Sequence, residues 1–143
     1  MERLLPKVVS NDYRGPRVAV WFLAFMAAVS IVRSCIHIFA PDGGAHSIAG
    51  IDISLAGGAT IVGMFAQWGS EQLLLAILQT IVVLRYRVLV PLMYVFMFLE
   101  YTFRECIGLW KPLGTHHAPG VTADYIIIPL SAIMVFVSLR RTR

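Results

Sequence analysis

Four apolar runs divide this chain: Val18 to Ala40, Gln67 to Leu84, Val88 to Trp110 and Val121 to Leu139. A helix that crosses a bilayer needs ~20 apolar residues at ~1.5 Å rise each, and each run comes close to that length. Strong turn signals separate them. Pro41 with Asp42-Gly43-Gly44 ends the first, Arg85-Tyr86-Arg87 ends the second, and the stretch PLGTHHAPG from Pro112 to Gly120 follows the third. The pattern predicts an all-α fold, a polytopic four-transmembrane-helix bundle.

Polar residues inside these runs recur at helical intervals. Ser30, Arg33, Ser34 and His37 draw one stripe on the first run, and Gln72, Ala76, Gln79 and Thr80 share a face of the second. The third run carries Glu100 and Arg104 one turn apart, where the two can pair. A charge near mid-bilayer costs ~2.5–3.5 kcal/mol on insertion scales, so these faces are expected to turn inward. At ~1.5 Å per residue, Arg33 lies ~24 Å above Arg17, Glu71 ~21 Å above Arg85, Glu100 ~20 Å above Arg87 and Asp124, expected in the favourable first turn of its helix, ~24 Å above Arg140. One polar cluster in the half of the bundle far from the termini follows, comprising Arg33, His37, Asp52, Glu71, Glu100 and Arg104. Its expected core is at least one ion pair among Arg33, Glu71, Glu100 and Arg104.

The segment 41–66 is less regular. Gly50, Ser54 and Gly58 form a small-xxx-small series suited to close helix packing. It can span, re-enter the membrane or lie on it, and the loop charges separate these choices. If it does not cross, nine Lys and Arg residues fall on the inner side and only Lys111 lies clearly outside; if it crosses, the split is five and five. The positive-inside rule selects the first arrangement. The expected layout is a basic cytoplasmic arm over 1–17 and one four-span domain over 18–143. Residues 41–66 form an outer interfacial or re-entrant helix, and both termini lie inside, at the inner (plasma) membrane.

Composition agrees with this class and excludes others. Hydrophobic residues make up 58% and charged residues 14%, with a mean hydropathy of +0.75. Soluble domains hold ~25% charged residues. The net charge of +4 sits beside the apolar runs, as topology requires, and does not form a nucleic-acid patch. No nucleophile–base arrangement or metal-ligand spacing stands out, so no catalytic residue, metal or cofactor is assigned. His46, His116 and His117 fall in loops. Cys35 and Cys106 lie at similar depths, ~27 and ~28 Å above their inner arginines. A disulfide between them is possible in an oxidising compartment, but free thiols are the preferred reading.

The Arg-bearing first span (VRSCIHIFAPDGG), the Gly-rich segment (SIAGIDISLAGG) and the charged third span (LEYTFRECIG), on four short helices, resemble the small DoxX-like bacterial inner-membrane proteins. That resemblance implies a four-helix membrane fold and a role as an accessory or unassigned membrane protein, since the group includes accessory subunits of membrane oxidoreductases. Two functions are therefore expected. The first is a non-catalytic accessory subunit or scaffold, partnered by membrane lipids and by other membrane subunits or copies of itself. The alternative is a membrane enzyme or carrier handling a lipid, quinone or ion at the outer polar pocket.

Overall fold

The computed structural model describes residues 2–112 and 119–141. Helix α1 spans Arg17–Phe39, α2 Gly58–Arg85, α3 Val90–Trp110 and α4 Pro119–Leu139, with one 3-10 turn at Arg87–Leu89. No strand occurs among the described residues. Helices α1, α2 and α4 are long and apolar enough to cross a membrane. Helix α3 is as long as α4 but carries Glu100, Arg104 and Glu105 toward its C-terminal end.

The helix starts differ from the sequence reading, and α3 begins at Val90, after the 3-10 turn, in place of Val88. Helix α2 begins at Gly58, so residues 58–66 are its first turns and not part of a separate outer helix. Gly57 adopts a left-handed φ of +99°, which ends the preceding loop, and the apolar residues after Gly58 then continue a single helix. At 28 residues, ~42 Å by helical rise, α2 exceeds the ~30 Å hydrocarbon thickness. Helix α4 begins two residues earlier than expected, which moves Asp124 out of the first turn.

Helix α1 packs along α2 and α3 along α4, while contact between these two hairpins is sparse. The hairpins join near the end that holds the starts of α1 and α3. There Ala19, Leu23 and Met26 of α1 meet Val82 of α2, Val90, Met93, Tyr94 and Met97 of α3, and Met134 of α4. The Tyr94 hydroxyl donates to the Ala19 carbonyl at 2.5 Å, and its ring stacks on Phe22 at 6.3 Å between centroids. This satisfies the phenol inside an apolar core. Outward faces carry Phe25, Val32, Leu74, Leu84, Phe103, Ile126 and Phe136, all exposed. So much uncovered apolar surface on every helix is what a lipid-facing protein presents.

The arm, residues 2–16, closes this end. The last carbonyls of a helix have no partner within it. On α4 the arm supplies two: Arg3 Nη1 donates to Leu139 O and the Tyr13 hydroxyl to Ser138 O, each at 2.9 Å. Burial pushes the Tyr13 phenol up to about 12. The neutral phenol is the donor, so this contribution is complete below the ordinary value of 10.0 and is lost as pH rises through about 12. The phenolate absorbance that disappears in Tyr13→Phe should therefore titrate near 12. A midpoint at the ordinary value would mean the arm is undocked.

Candidate functional site

The polar stripes of α1 and α2 run up to the far end of the bundle. On α1, Ser34 and His37 are buried and Ser30 and Arg33 half-buried; on α2, Gln72, Ala76 and Gln79 are buried and Thr80 half-buried. Thr80 returns its hydroxyl to the Ala76 carbonyl at 2.8 Å. Both stripes face inward, as their spacing requires.

The two hairpin partners come close at Gly69. A Cβ built there would lie 2.6 Å from His37 Cβ and 3.2 Å from the Ser34 carbonyl. His37 sits in the niche this opens. Its ring stacks on Trp68 at 5.2 Å and meets the edge of Phe65 at 5.5 Å. Its Nδ1–H donates to the Gly43 carbonyl at 2.7 Å, since a carbonyl can only accept. Gly43 and Gly44 hold φ of +58° and +78°, which lets Asp42-Gly43-Gly44 curl back over the histidine. Asp42 fixes that turn by accepting from the backbone N–H groups of Ser47 and Gly44 at 2.7 and 2.9 Å, which hold its carboxyl far below the usual range. His37 is thus a packed and satisfied side chain.

The ionic core differs from expectation. Arg104 pairs with Asp124 of α4 through one edge of its guanidinium, Nε to Oδ2 at 2.7 Å and Nη2 to Oδ1. The pair is bidentate, the stronger Arg–carboxylate geometry. Glu100 lies one turn from Arg104 but within no ion-pair distance of it, and Glu71 is exposed on the outside of α2. The anticipated pairing among Arg33, Glu71, Glu100 and Arg104 is therefore absent among the described residues. The cause is rotational: Arg104 turns toward its hairpin partner α4, where Asp124, its side chain only 3% exposed, needs a cation.

Asp52 also stays outside the cluster. It is exposed and accepts from the Ser54 amide and hydroxyl at 3.0 and 2.6 Å, closing its own turn. Gly50, Ser54 and Gly58 form no helical stripe, because residues 50–57 are not helical. Gly50 has φ +69° with open space around it, and Gly58 abuts the Ile53 carbonyl of its own loop, 1.8 Å from where a Cβ would stand. Cys35 and Cys106 are free thiols. His116 and His117 lie outside the described residues, and no metal-holding group of three His, Cys, Asp or Glu occurs among the described ones.

What the sequence passed over is Trp68. The guanidinium carbons of Arg33 and Arg104 each lie 5.9 Å from its ring centroid, and Arg104 is also 4.3 Å from the Tyr101 ring. An indole face attracts cations by ~0.5–2 kcal/mol each, so one ring holds both arginines and a histidine at one level. Around it several buried polar atoms have no partner: Arg33 Nε, Arg104 Nη1, Ser34 Oγ, Thr102 Oγ1 and both side-chain atoms of Gln72. The Gln72 stripe, carried one turn outward, points to Gly69 and Phe65, which is the signal that locates this niche. Chemically the cluster can hold helices in register or receive a small polar group.

No protein-family model, curated protein or solved structure matches this chain.

Proposed function

We propose that this chain is a small integral protein of the inner (plasma) membrane, with four spans and cytoplasmic termini, serving as a non-catalytic accessory subunit or scaffold. The observation that carries the reading is the Arg104–Asp124 pair. Arg104 and Asp124 neutralise each other within the chain, tying α3 to α4, as a structural joint requires. The same pairing supports α3 as a fourth span, because it neutralises one of that helix's charges inside the fold. The nine inner Lys and Arg residues support the orientation. Exposed Ala59 and Gly63 on α2, with open space around Gly63, leave room for close approach by another membrane helix. The resemblance of the span pattern to DoxX-like proteins points the same way.

Topology is tested by cysteine probes in a chain lacking Cys35 and Cys106. Labelling from outside should reach positions 47 and 111 but not 86 or 141, and outside labelling at 86 would overturn the layout. Function is tested by purification from native membranes in mild detergent, which should yield a stoichiometric protein partner.

A second reading has its own support. The unpartnered buried atoms of Gln72, Arg33 and Arg104 suit a polar group of a lipid, quinone or ion. A chromophore or lipid that co-purifies without a partner protein, and is lost in Gln72→Leu, would favour that reading over the scaffold.

A further inference from the structure

The end opposite the polar cluster holds a cleft of about 260 Å³ that the proposed function does not use. The arm supplies Arg3 and Arg14 to its wall, and the end of α4 supplies Arg140 and Arg141. Its acidic members are already matched: Glu2 sits 3.5 Å from Lys7, and Asp12 accepts from Arg14 at 3.0 Å. Arg3 spends one N–H on the Leu139 carbonyl and has no carboxylate among the described residues, nor do Arg140 and Arg141. The cleft is therefore net cationic.

Its placement is as informative as its charge. The floor includes Val88 of the 3-10 turn and Pro91 at the start of α3, and the roof is the arm, held down by Tyr13 and Arg3. Beside it the arm exposes Leu5, Val8 and Val9, 58, 74 and 50% accessible. An arm that lends cations to the cleft and also leaves apolar side chains uncovered matches the membrane interface, where apolar groups enter the acyl boundary and cations meet headgroups. A volume below the ~300–1,000 Å³ of drug-sized ligand sites suits a headgroup better than a whole metabolite.

We propose that this cleft binds the phosphate of an anionic phospholipid in the leaflet facing the termini, with Arg140, Arg141 and Arg3 as its donors. Guanidinium groups suit this work because they engage phosphate oxygens in pairs. The inference rests on the reading that the chain spans the membrane with this end at the anionic leaflet. Carbonate extraction of membranes tests that reading separately: an integral chain stays in the pellet whatever the cleft binds.

The test titrates detergent-purified protein with phosphatidylglycerol, phosphatidylcholine or inorganic phosphate and counts bound lipid by native mass spectrometry. Phosphatidylglycerol should be retained preferentially. Arg140→Gln with Arg141→Gln should weaken it by roughly fivefold for each arginine removed. Both side chains extend beyond α4, so the helical circular dichroism should not change. Lys111→Gln, the loss of one positive charge at the other end, should leave retention unaltered. Equal retention of the two lipids would overturn the proposal, as would a double variant that binds like the parent. So would inorganic phosphate competing as well as the lipid, since the cleft would then be a free-anion site.

Discussion

Arg104→Gln is expected to lower the stability of the bundle by ~3–5 kcal/mol, the usual loss when one partner of a buried ion pair is removed. The reason lies with the residue left behind. The Asp124 side chain is 3% exposed, and its two oxygens accept from Arg104 alone among the described residues. Without the guanidinium it must stay charged and unpaired or take up a proton. Arg104 is itself 21% exposed and lies over the Tyr101 ring, so its removal also loses a cation–π contact. The informative companion is the double variant Arg104→Met with Asp124→Leu. Replacing a buried pair by apolar side chains of similar volume is often neutral or stabilising. Thermal unfolding in one detergent should therefore show a large fall for either single change and recovery in the double. If Arg104→Gln unfolds with the parent, the pair is not the joint of this fold. Glu100→Gln, with no ion-pair partner among the described residues, should have the smaller effect.

This contrast shows what spacing along a chain can and cannot specify. Spacing put Glu100 and Arg104 on one helical face correctly, but sharing a face does not decide which neighbour that face meets. Because α3 packs along α4, the carboxylate that matters came from the next helix. Depth did carry that information, since Asp124 stood at the level of Arg33 and Glu100. Its assignment to a first helical turn depended on a helix start two residues too late. The inward stripes of α1 and α2 were legible because burial follows the 3.6-residue period. The start of α2 was not. The loop charges keep 41–66 out of the spans, but Gly57 alone of the glycines at 57, 58 and 63 takes the left-handed backbone, and the helix runs on from Gly58. Asp52, on the outer segment 41–66, is expected near the cluster. It turned instead to the Ser54 amide and hydroxyl, a local contact that short acidic side chains make readily.

Glycine also supplies the second large effect, at a position the small-residue pattern did not single out. Gly69→Leu is expected to separate α1 from α2. Glycine inside a helix costs ~0.5–1 kcal/mol relative to alanine, so its presence there calls for a steric reason. At Gly69 a Cβ would stand 2.6 Å from His37 Cβ and 3.3 Å from Ile38 Cγ1, so even alanine must push the helices apart. Overpacking of this kind costs ~1–3 kcal/mol for small additions, and leucine adds three further carbons to the same gap. The loss would spread, because His37 carries the Trp68 stack and the Gly43 hydrogen bond, and Trp68 faces both arginines. Gly63 on the same helix is the control. It is exposed and meets nothing within 4 Å, so Gly63→Ala should be neutral or stabilise by up to ~1 kcal/mol. In thermal unfolding the order should be Gly63→Ala at or above the parent, Gly69→Ala below it and Gly69→Leu lowest. Tolerance of leucine at 69 equal to that of alanine at 63 would mean that α1 and α2 do not meet there, and the aromatic niche around His37 would lose its physical basis.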